Sequence, residues 1–169
     1  MLVLGVDPGS RITGYGLVEE KNHEISCIRA GIIKPPDTMP FPQKIHRIFQ
    51  EIVEILERYN PREMAVEDLF FAKNARSALK LGHARGAALI AAGQHDIPVF
   101  EYTPLEIKKS VVGYGRADKE QVCAMVKIML RLQKPVPLDA SDALAAAICH
   151  INSSKFRAIT STTKGKMKA

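Results

Sequence analysis

The chain has 169 residues, of which 46% are apolar and 25% are charged, and its formal net charge is +6. This composition is typical of a folded globular protein and excludes a wholly disordered or fibrous chain. The longest uninterrupted apolar run, 143–149, has seven residues, whereas a membrane-spanning helix needs about 18. We therefore expect no association with a membrane.

Hydrophobic periodicity and turn residues divide the chain into strands and helices. Short apolar or alternating patterns predict five strands, at 2–6, 13–19, 24–33, 63–67 and 98–102. Apolar residues at helical spacing predict helices at 41–59, 74–94, 118–132 and 139–152, with a short helix beginning at Pro104 after Thr103 as its cap. This order predicts an α/β fold in which helices flank a five-stranded mixed sheet. We place one domain at 1–154 and a basic, mobile tail at 155–169.

The cysteines and the first residues of the sequence indicate in which cellular compartment the protein acts. Neither a basic segment nor a small-residue cleavage site precedes the strand-like LVLGV, so we expect no secretory signal. The three cysteines are widely spaced and form no CxxC motif, which favours reduced thiols over a disulfide framework or a zinc site. They are Cys27, Cys123 and Cys149. We therefore predict a cytoplasmic protein.

The positive charge is concentrated in two parts of the chain. Residues 73–134 hold 11 basic and 5 acidic side chains, and residues 155–169 hold five basic and no acidic ones. On a helix, Lys73, Arg76 and Lys80 share one stripe at i, i+3 and i+7. Such a stripe is either a solvated helix face or part of a surface that binds phosphates of a nucleic acid.

Four acidic residues occupy positions where a carboxylate is unexpected. Asp7 ends one apolar strand and Glu67 ends another, while Asp139 and Asp142 begin a helix that is apolar on nearly every side. Each also has a structural explanation. The DPG sequence is common in turns, Glu67 could end its strand in water, Asp139 could be an N-cap, and Asp142 could favour the helix dipole.

The combination of these four carboxylates is harder to explain structurally. In one cleft they would repel one another by up to ~4 kcal/mol per close pair at an effective dielectric constant of about 20. A divalent cation would offset that repulsion, and ligands that offer only oxygen suit Mg²⁺ or Mn²⁺. Two such ions about 3.5–4 Å apart are used to hydrolyse phosphodiester bonds. We expect Asp7 to bridge them, because a central strand is the most rigid support.

Four segments carry the pattern of a known family: GVDPGSRITGYGLV (5–18), VEDLFFAKNARSALKLGHARGAA (66–88), VFEYTPLEIKKSVVGYGRADKEQV (99–122) and DASDALAAAICH (139–150). Over 1–152 the chain resembles the RuvC family of bacterial Holliday-junction resolvases. The resemblance implies a ribonuclease-H-like fold and a homodimer. It also implies recombination and repair nuclease activity that nicks two opposed strands of a four-way DNA junction, with two Mg²⁺ ions per site, which Mn²⁺ could replace. Each nick would leave a 5′-phosphate and a 3′-hydroxyl, and the RuvA–RuvB branch-migration complex would be a partner.

The resemblance assigns catalytic and metal-binding roles to Asp7, Glu67, Asp139 and Asp142. It assigns the base-contacting aromatic residue to Phe70, followed by Phe71 where some members have Met, and phosphate-binding lysines to Lys108 and Lys119. Together with the charge pattern, this predicts a DNA-binding set: Phe70, Phe71, Lys73, Arg76, Lys80, Arg85, Lys108, Arg116 and Lys119. From the residues alone, the first interpretation of the two phenylalanines is that they are core residues, and the GYGR loop could be an ordinary turn.

Two other functions are compatible with parts of the sequence. An actin-like or sugar-kinase-like ATPase has a similar Asp-x-Gly-Ser turn, but it needs a second lobe that 169 residues cannot hold. A junction-binding module without catalysis would not need four aligned carboxylates. The small residues Gly82, Gly86 and Ala87 on one predicted helix suit close helix packing, which we assign to a dimer interface.

Overall fold

The computed structural model describes residues 1–68 and 75–166. Its strands are β1 (Leu2–Asp7), β2 (Thr13–Lys21), β3 (Glu24–Ile33), β4 (Glu63–Glu67) and β5 (Val99–Tyr102). Its helices are α1 (Phe41–Tyr59), α2 (Ala75–Gln94), α3 (Pro104–Val112), α4 (Lys119–Met129) and α5 (Leu138–Lys166). The predicted α/β order is confirmed.

The five strands form one mixed sheet in the order β3-β2-β1-β4-β5. β2 pairs antiparallel with both β1 and β3, whereas β1 and β4, and β4 and β5, are parallel. The carboxyl ends of β1, β4 and β5 therefore meet at one edge. β1 lies in the middle of the sheet, where both of its neighbours hold it through backbone hydrogen bonds.

Alternation along the central strands separates two hydrophobic cores. Val3 of β1 belongs to the core beneath α3, α4 and α5. Leu4 and Val6 belong to the core beneath α1 and α2. Because side chains alternate along a strand, Asp7 points to the same face as Val3, which is the face that α5 covers. The same alternation places Glu67 on that face, since Ala65 packs there.

The last helix differs from its predicted bounds at both ends. It begins at Leu138 rather than Asp139, and the amide of Ser141 donates to the carbonyl of Pro137 at 2.9 Å. Asp139 is therefore inside the first turn, and its explanation as an N-cap is wrong. The helix continues to Lys166, past the predicted end at Asn152. Residues 153–164 contain no Pro or Gly that would stop it, and the mobility of 155–169 stays a prediction.

No helix in the described ranges is long and apolar enough to cross a membrane.

Candidate active site

The two carboxylates at strand ends lie side by side. The parallel register pairs Val6 of β1 with Val66 of β4, so the next residues, Asp7 and Glu67, end neighbouring strands on the face covered by α5. Their carboxyl groups are close enough for each to affect the pKa of the other. Two strand ends, 60 residues apart in the sequence, thus converge at one point on the sheet edge.

A glycine beside Asp7 lets the first turn of α5 come close to these acids. Gly14 of β2 pairs with Asp7, and a Cβ atom built on Gly14 would lie 1.9 Å from the backbone oxygen of Asp139. Further along, a Cβ on Gly5 would lie 1.9 Å from the oxygen of Ala143. Only glycine allows helix backbone to lie directly on the strands in this way. The close approach brings the first turn of α5, with Asp139 and Asp142, next to Asp7.

Burial and the closeness of the acidic residues raise the pKa values of Asp7 and Glu67. Burial, followed by the charges of Glu67, Asp142 and Asp139, raises the pKa of Asp7 to about 7. Burial and then Asp142 also raise the pKa of Glu67, against the opposing effects of Lys119 and Lys108. Without metal, a pKa of about 7 leaves Asp7 partly protonated at neutral pH.

Two lysines bring positive charge to the same place. Lys119 Nζ donates to Asp142 Oδ2 at 3.0 Å, and this bond raises the pKa of Lys119. Lys108 and Lys119 line a cleft of about 270 Å³ together with Glu67 and Asp142, which we call the active-site cleft. Its remaining walls are apolar residues of α3 and α4: Pro104, Ile107 and Val122. The cleft is therefore lined by two carboxylates, two lysines and three apolar residues.

Helix caps hold both lysines in position. Thr103 caps α3, and Glu106 bonds back to the Thr103 backbone, which forms a capping box. Asp118 and Gln121 form a second capping box at the start of α4, directly before Lys119. The sequence predicted the Thr103 cap. Since the second box fixes the first turn of α4, it also fixes the backbone from which Lys119 reaches Asp142.

The donor chemistry of the site fits a divalent cation. Its four carboxylates offer oxygen only, and burial followed by the neighbouring carboxylates raises the pKa of Asp7 although Lys119 acts in the opposite direction. Within residues 1–68 and 75–166, however, no three acidic, His or Cys side chains approach closely enough to form a ready ligand set. One oxygen of Asp142 is bonded to Lys119, so a cation that used this oxygen would have to displace the lysine.

The predicted DNA-binding residues are placed in different surroundings. Phe70, Phe71 and Lys73 lie outside the described residues. The side chains of Arg76, Lys80 and Arg116 are exposed. Lys80 Nζ lies 5.7 Å from the ring centroid of Phe41. Lys80 and Arg116 are therefore accessible to phosphates, whereas the structure accounts for Arg85 differently.

Arg85 forms an ion pair with Glu101 of β5, and its side chain is 20% exposed. This ion pair connects α2 to β5, the outermost strand of the sheet. It favours a structural role for Arg85 over a contact with DNA. The charge pattern could not distinguish the two roles, because Glu101 lies 16 residues away in sequence.

Sequence reasoning missed the residues that position the acids. Gly14 and Thr13 did not stand out, although two glycines inside the strand TGYGLV are a signal of close backbone approach. Thr13 is fully buried, and its hydroxyl donates to the carbonyl of Gly9 at 2.8 Å. This bond closes the loop that follows Asp7.

Comparisons with known proteins agree with this geometry. The family model "Crossover junction endodeoxyribonuclease RuvC" matches residues 3–150. Proteins of that name from Geobacter metallireducens and Alkaliphilus oremlandii are 50% and 46% identical to the chain. The alignments cover 94% and 92% of this chain and 97% and 96% of those proteins.

A solved structure gives the same result. Thermus thermophilus RuvC in complex with a Holliday junction substrate superposes with a TM-score of 0.88 and is 34% identical. The match covers 92% of this chain and 96% of that one. The fold that the resemblance implied, a ribonuclease-H-like resolvase fold, is thereby confirmed.

Proposed function

The chain belongs to the RuvC family of crossover junction endodeoxyribonucleases, and from this premise we propose that it resolves four-way DNA junctions. The reaction is hydrolysis of one phosphodiester bond in each of two opposed strands, leaving 5′-phosphate and 3′-hydroxyl ends that a ligase can seal. Such a nuclease acts in DNA recombination and repair.

One observation supports the proposal most strongly. Carboxylates from β1, β4 and α5 converge beside Lys108 and Lys119 at one edge of the sheet. Acidic residues alone would repel DNA, and basic residues alone would bind it without cutting. The two together suit a site that binds a phosphate and hydrolyses it.

The family is metal-dependent, and we propose that Asp7, Glu67, Asp139 and Asp142 bind two Mg²⁺ ions, which Mn²⁺ could replace. When bound, such ions supply the positive charge that activates a water molecule and stabilises the leaving 3′ oxygen. Asp7, on the central strand, is the proposed shared ligand. Lys108 and Lys119 bind and orient the phosphate, and the apolar walls of α3 and α4 restrict water around it.

We propose that the protein acts as a homodimer, because two opposed strands need two active sites related by symmetry. An apolar groove of about 990 Å³ lies between α1 and α2, on the opposite side of the sheet from α5. Leu79 and Ile90 there are 66% and 65% exposed, and nothing lies within 4 Å of a Cβ built on Gly82 or Gly86. A second copy of the same helix would fill this open face.

Two further predictions follow from family membership. They are a partnership with the RuvA–RuvB branch-migration complex and a cytoplasmic location.

The function is tested with a synthetic four-way junction and a linear duplex of the same sequence. In Mg²⁺ we expect paired nicks at symmetric positions in the junction, 5′-phosphate ends, and no cutting of the duplex. Without Mg²⁺ we expect binding but no nick. Junction binding that Mg²⁺ never converts to product would favour the non-catalytic module, and ATP hydrolysis without DNA would favour the ATPase.

A further inference from the structure

A second polar cleft lies beside the first turn of α5. It has a volume of about 800 Å³ and is bounded by the loop 9–12 after β1, the segment 37–44 and α2. We call it the second cleft. Arg11, Lys44 and Lys80 line it together with Asp139. Of its three basic residues, the sequence analysis assigned a role only to Lys80.

The second cleft and the active-site cleft meet at the proposed catalytic acids. Asp139 lines the second cleft, whereas Asp142 lines the active-site cleft. The two residues are three positions apart on α5, so their Cβ atoms are only about 5–6 Å apart. A DNA strand that passes the acids while Lys108 and Lys119 hold it on one side must leave on the other side. The second cleft is the basic surface that lies there.

The charges in the second cleft favour an anionic ligand. Its cations are Arg11, Lys44 and Lys80, and its carboxylates are Asp37 and Asp139. In the described part of the chain, Arg11 forms no ion pair, and its side chain is exposed. Asp37 is paired with Lys44 at 3.9 Å, so the three cations outnumber the two carboxylates even without metal, and metal bound to Asp139 would increase this excess. An excess of positive charge then faces the DNA.

Local contacts hold the side chains of Lys44 and Lys80 and the backbone of the loop that carries Arg11. Arg11 is in the loop that the bond from the Thr13 hydroxyl to Gly9 closes. Lys44 Nζ donates to the carbonyl of Asp37 at 3.0 Å, and its side chain is only 13% exposed. Lys80 lies over the ring of Phe41. The pre-positioned side chains of Lys44 and Lys80 lose little conformational entropy when they bind phosphate.

We infer that the second cleft binds backbone phosphates of the cleaved strand, on the side of the scissile bond away from Lys108 and Lys119. Arg11 and Lys44 are the positioning residues that we add for this reaction. The inference rests on the proposed function, because the ligand is the same junction strand.

Salt dependence of junction binding measures these contacts. We expect Arg11→Gln and Lys44→Gln each to weaken binding in EDTA. Each should also reduce the slope of log Kd against log[KCl] by about 0.7–0.9, the effect of one lost phosphate contact. Lys21→Gln is the matched control, since this exposed lysine ends β2 at the opposite end of the sheet from Asp7. Its slope should stay unchanged. Thermal melting checks that each variant is folded. Because Arg11 is exposed, we expect Arg11→Gln to fold normally.

Uncharged methylphosphonates in the DNA can show which backbone phosphate Arg11 contacts. In a series of junctions, one methylphosphonate is placed at each position on either side of the cleavage site. The unmodified protein should lose affinity at a position beyond the scissile phosphate, and Arg11→Gln should be insensitive at that same position. If both variants keep the original slope, or no such position exists, the inference is overturned. An unmodified protein that never nicks the junction in Mg²⁺ would instead contradict the proposed function.

Discussion

At the residue scale, Asp7 is the best supported of the proposed catalytic groups. It ends the central strand, lies beside Glu67 at the end of the neighbouring strand, and has its pKa raised to about 7 by burial and neighbouring carboxylates. Three neighbours of the same charge surround it. A group in this position serves as a metal ligand more readily than as a structural residue, because nothing else in the described site neutralises it fully.

We expect Asp7→Asn to abolish most of the cleavage activity while leaving junction binding intact. The amide keeps the size of the side chain but removes a charged ligand worth several kcal/mol of transition-state stabilisation. We expect cleavage to fall about 10³-fold or more, with junction affinity nearly unchanged. Single-turnover cleavage and binding in EDTA measure the two effects. Asp96→Asn is the control, an exposed residue before β5 whose left-handed backbone Asn tolerates. Cleavage at the normal rate by Asp7→Asn would refute the site.

The raised pKa of Asp7 also predicts how stability depends on pH in the protein without metal. Its folded pKa, about 7, lies above the ordinary value of 3.8. The stability it contributes is therefore fully present below pH 3.8 and is lost as the pH rises through 7. Asp7→Asn does not titrate. With a chelator present, its melting temperature relative to the unmodified protein should rise by about 2–6 °C from pH 5.5 to pH 8.5.

Scanning calorimetry at both pH values tests this prediction. Excess Mg²⁺ should reduce the difference in melting temperature between Asp7→Asn and the unmodified protein at pH 8.5. The reason is that the cation offsets the repulsion among the carboxylates only where Asp7 is present. If the difference in melting temperature were the same at both pH values, Asp7 would ionise in its ordinary range.

At the scale of elements, the packing of α5 on β1 and β2 determines whether the acids meet. The contact depends on strand positions without a Cβ, above all Gly14 and Gly5. Apolar residues on nearly every side predicted that this helix is buried. They did not say which strands it covers, because every face of the helix is similarly apolar.

Gly14→Ala should separate α5 from the sheet. A Cβ there would lie 1.9 Å from the oxygen of Asp139, and backbone cannot move aside as a flexible side chain can. We expect the free energy of unfolding to fall by about 1–3 kcal/mol or more. Cleavage should fall even where the variant is folded. Urea denaturation and single-turnover cleavage measure the two losses.

Gly93→Ala is the matched control. Nothing lies within 4 Å of its Cβ position in α2. Alanine there should leave stability unchanged or raise it by up to about 1 kcal/mol, because glycine is a poor helix former. Equal stability of the two alanine variants would contradict the close packing of α5.

At the scale of the whole molecule, the proposed dimer places an apolar groove against a second copy. Leu79→Glu puts a charge in the lining of that groove, and burying an unpaired carboxylate is costly. We expect this variant to be monomeric in analytical ultracentrifugation and to lose paired nicking of the junction. Ile128→Glu is the control, because Ile128 is 69% exposed on α4, on the opposite face of the sheet. A dimeric Leu79→Glu variant would place the interface elsewhere.

The sequence by itself determined the order of strands and helices. Periodicity, turn residues and caps act within a few residues of each other. The predicted bounds match closely for α1, β3 and β4. They failed at the end of α5, where no Pro or Gly marks a stop before Gly165 and the helix continues to Lys166. The four candidate acids were also visible, since carboxylates in apolar segments stand out locally.

Only the tertiary structure decided which side chains meet. It joined Asp7 to Glu67 through the parallel register of β1 and β4, and Lys119 to Asp142. It also paired Arg85, a predicted DNA-binding residue, with Glu101 of β5. These contacts link residues far apart in sequence, and they depend on strand order and helix packing. No local pattern encodes them, because the free energy that selects them comes from the burial of both cores at once.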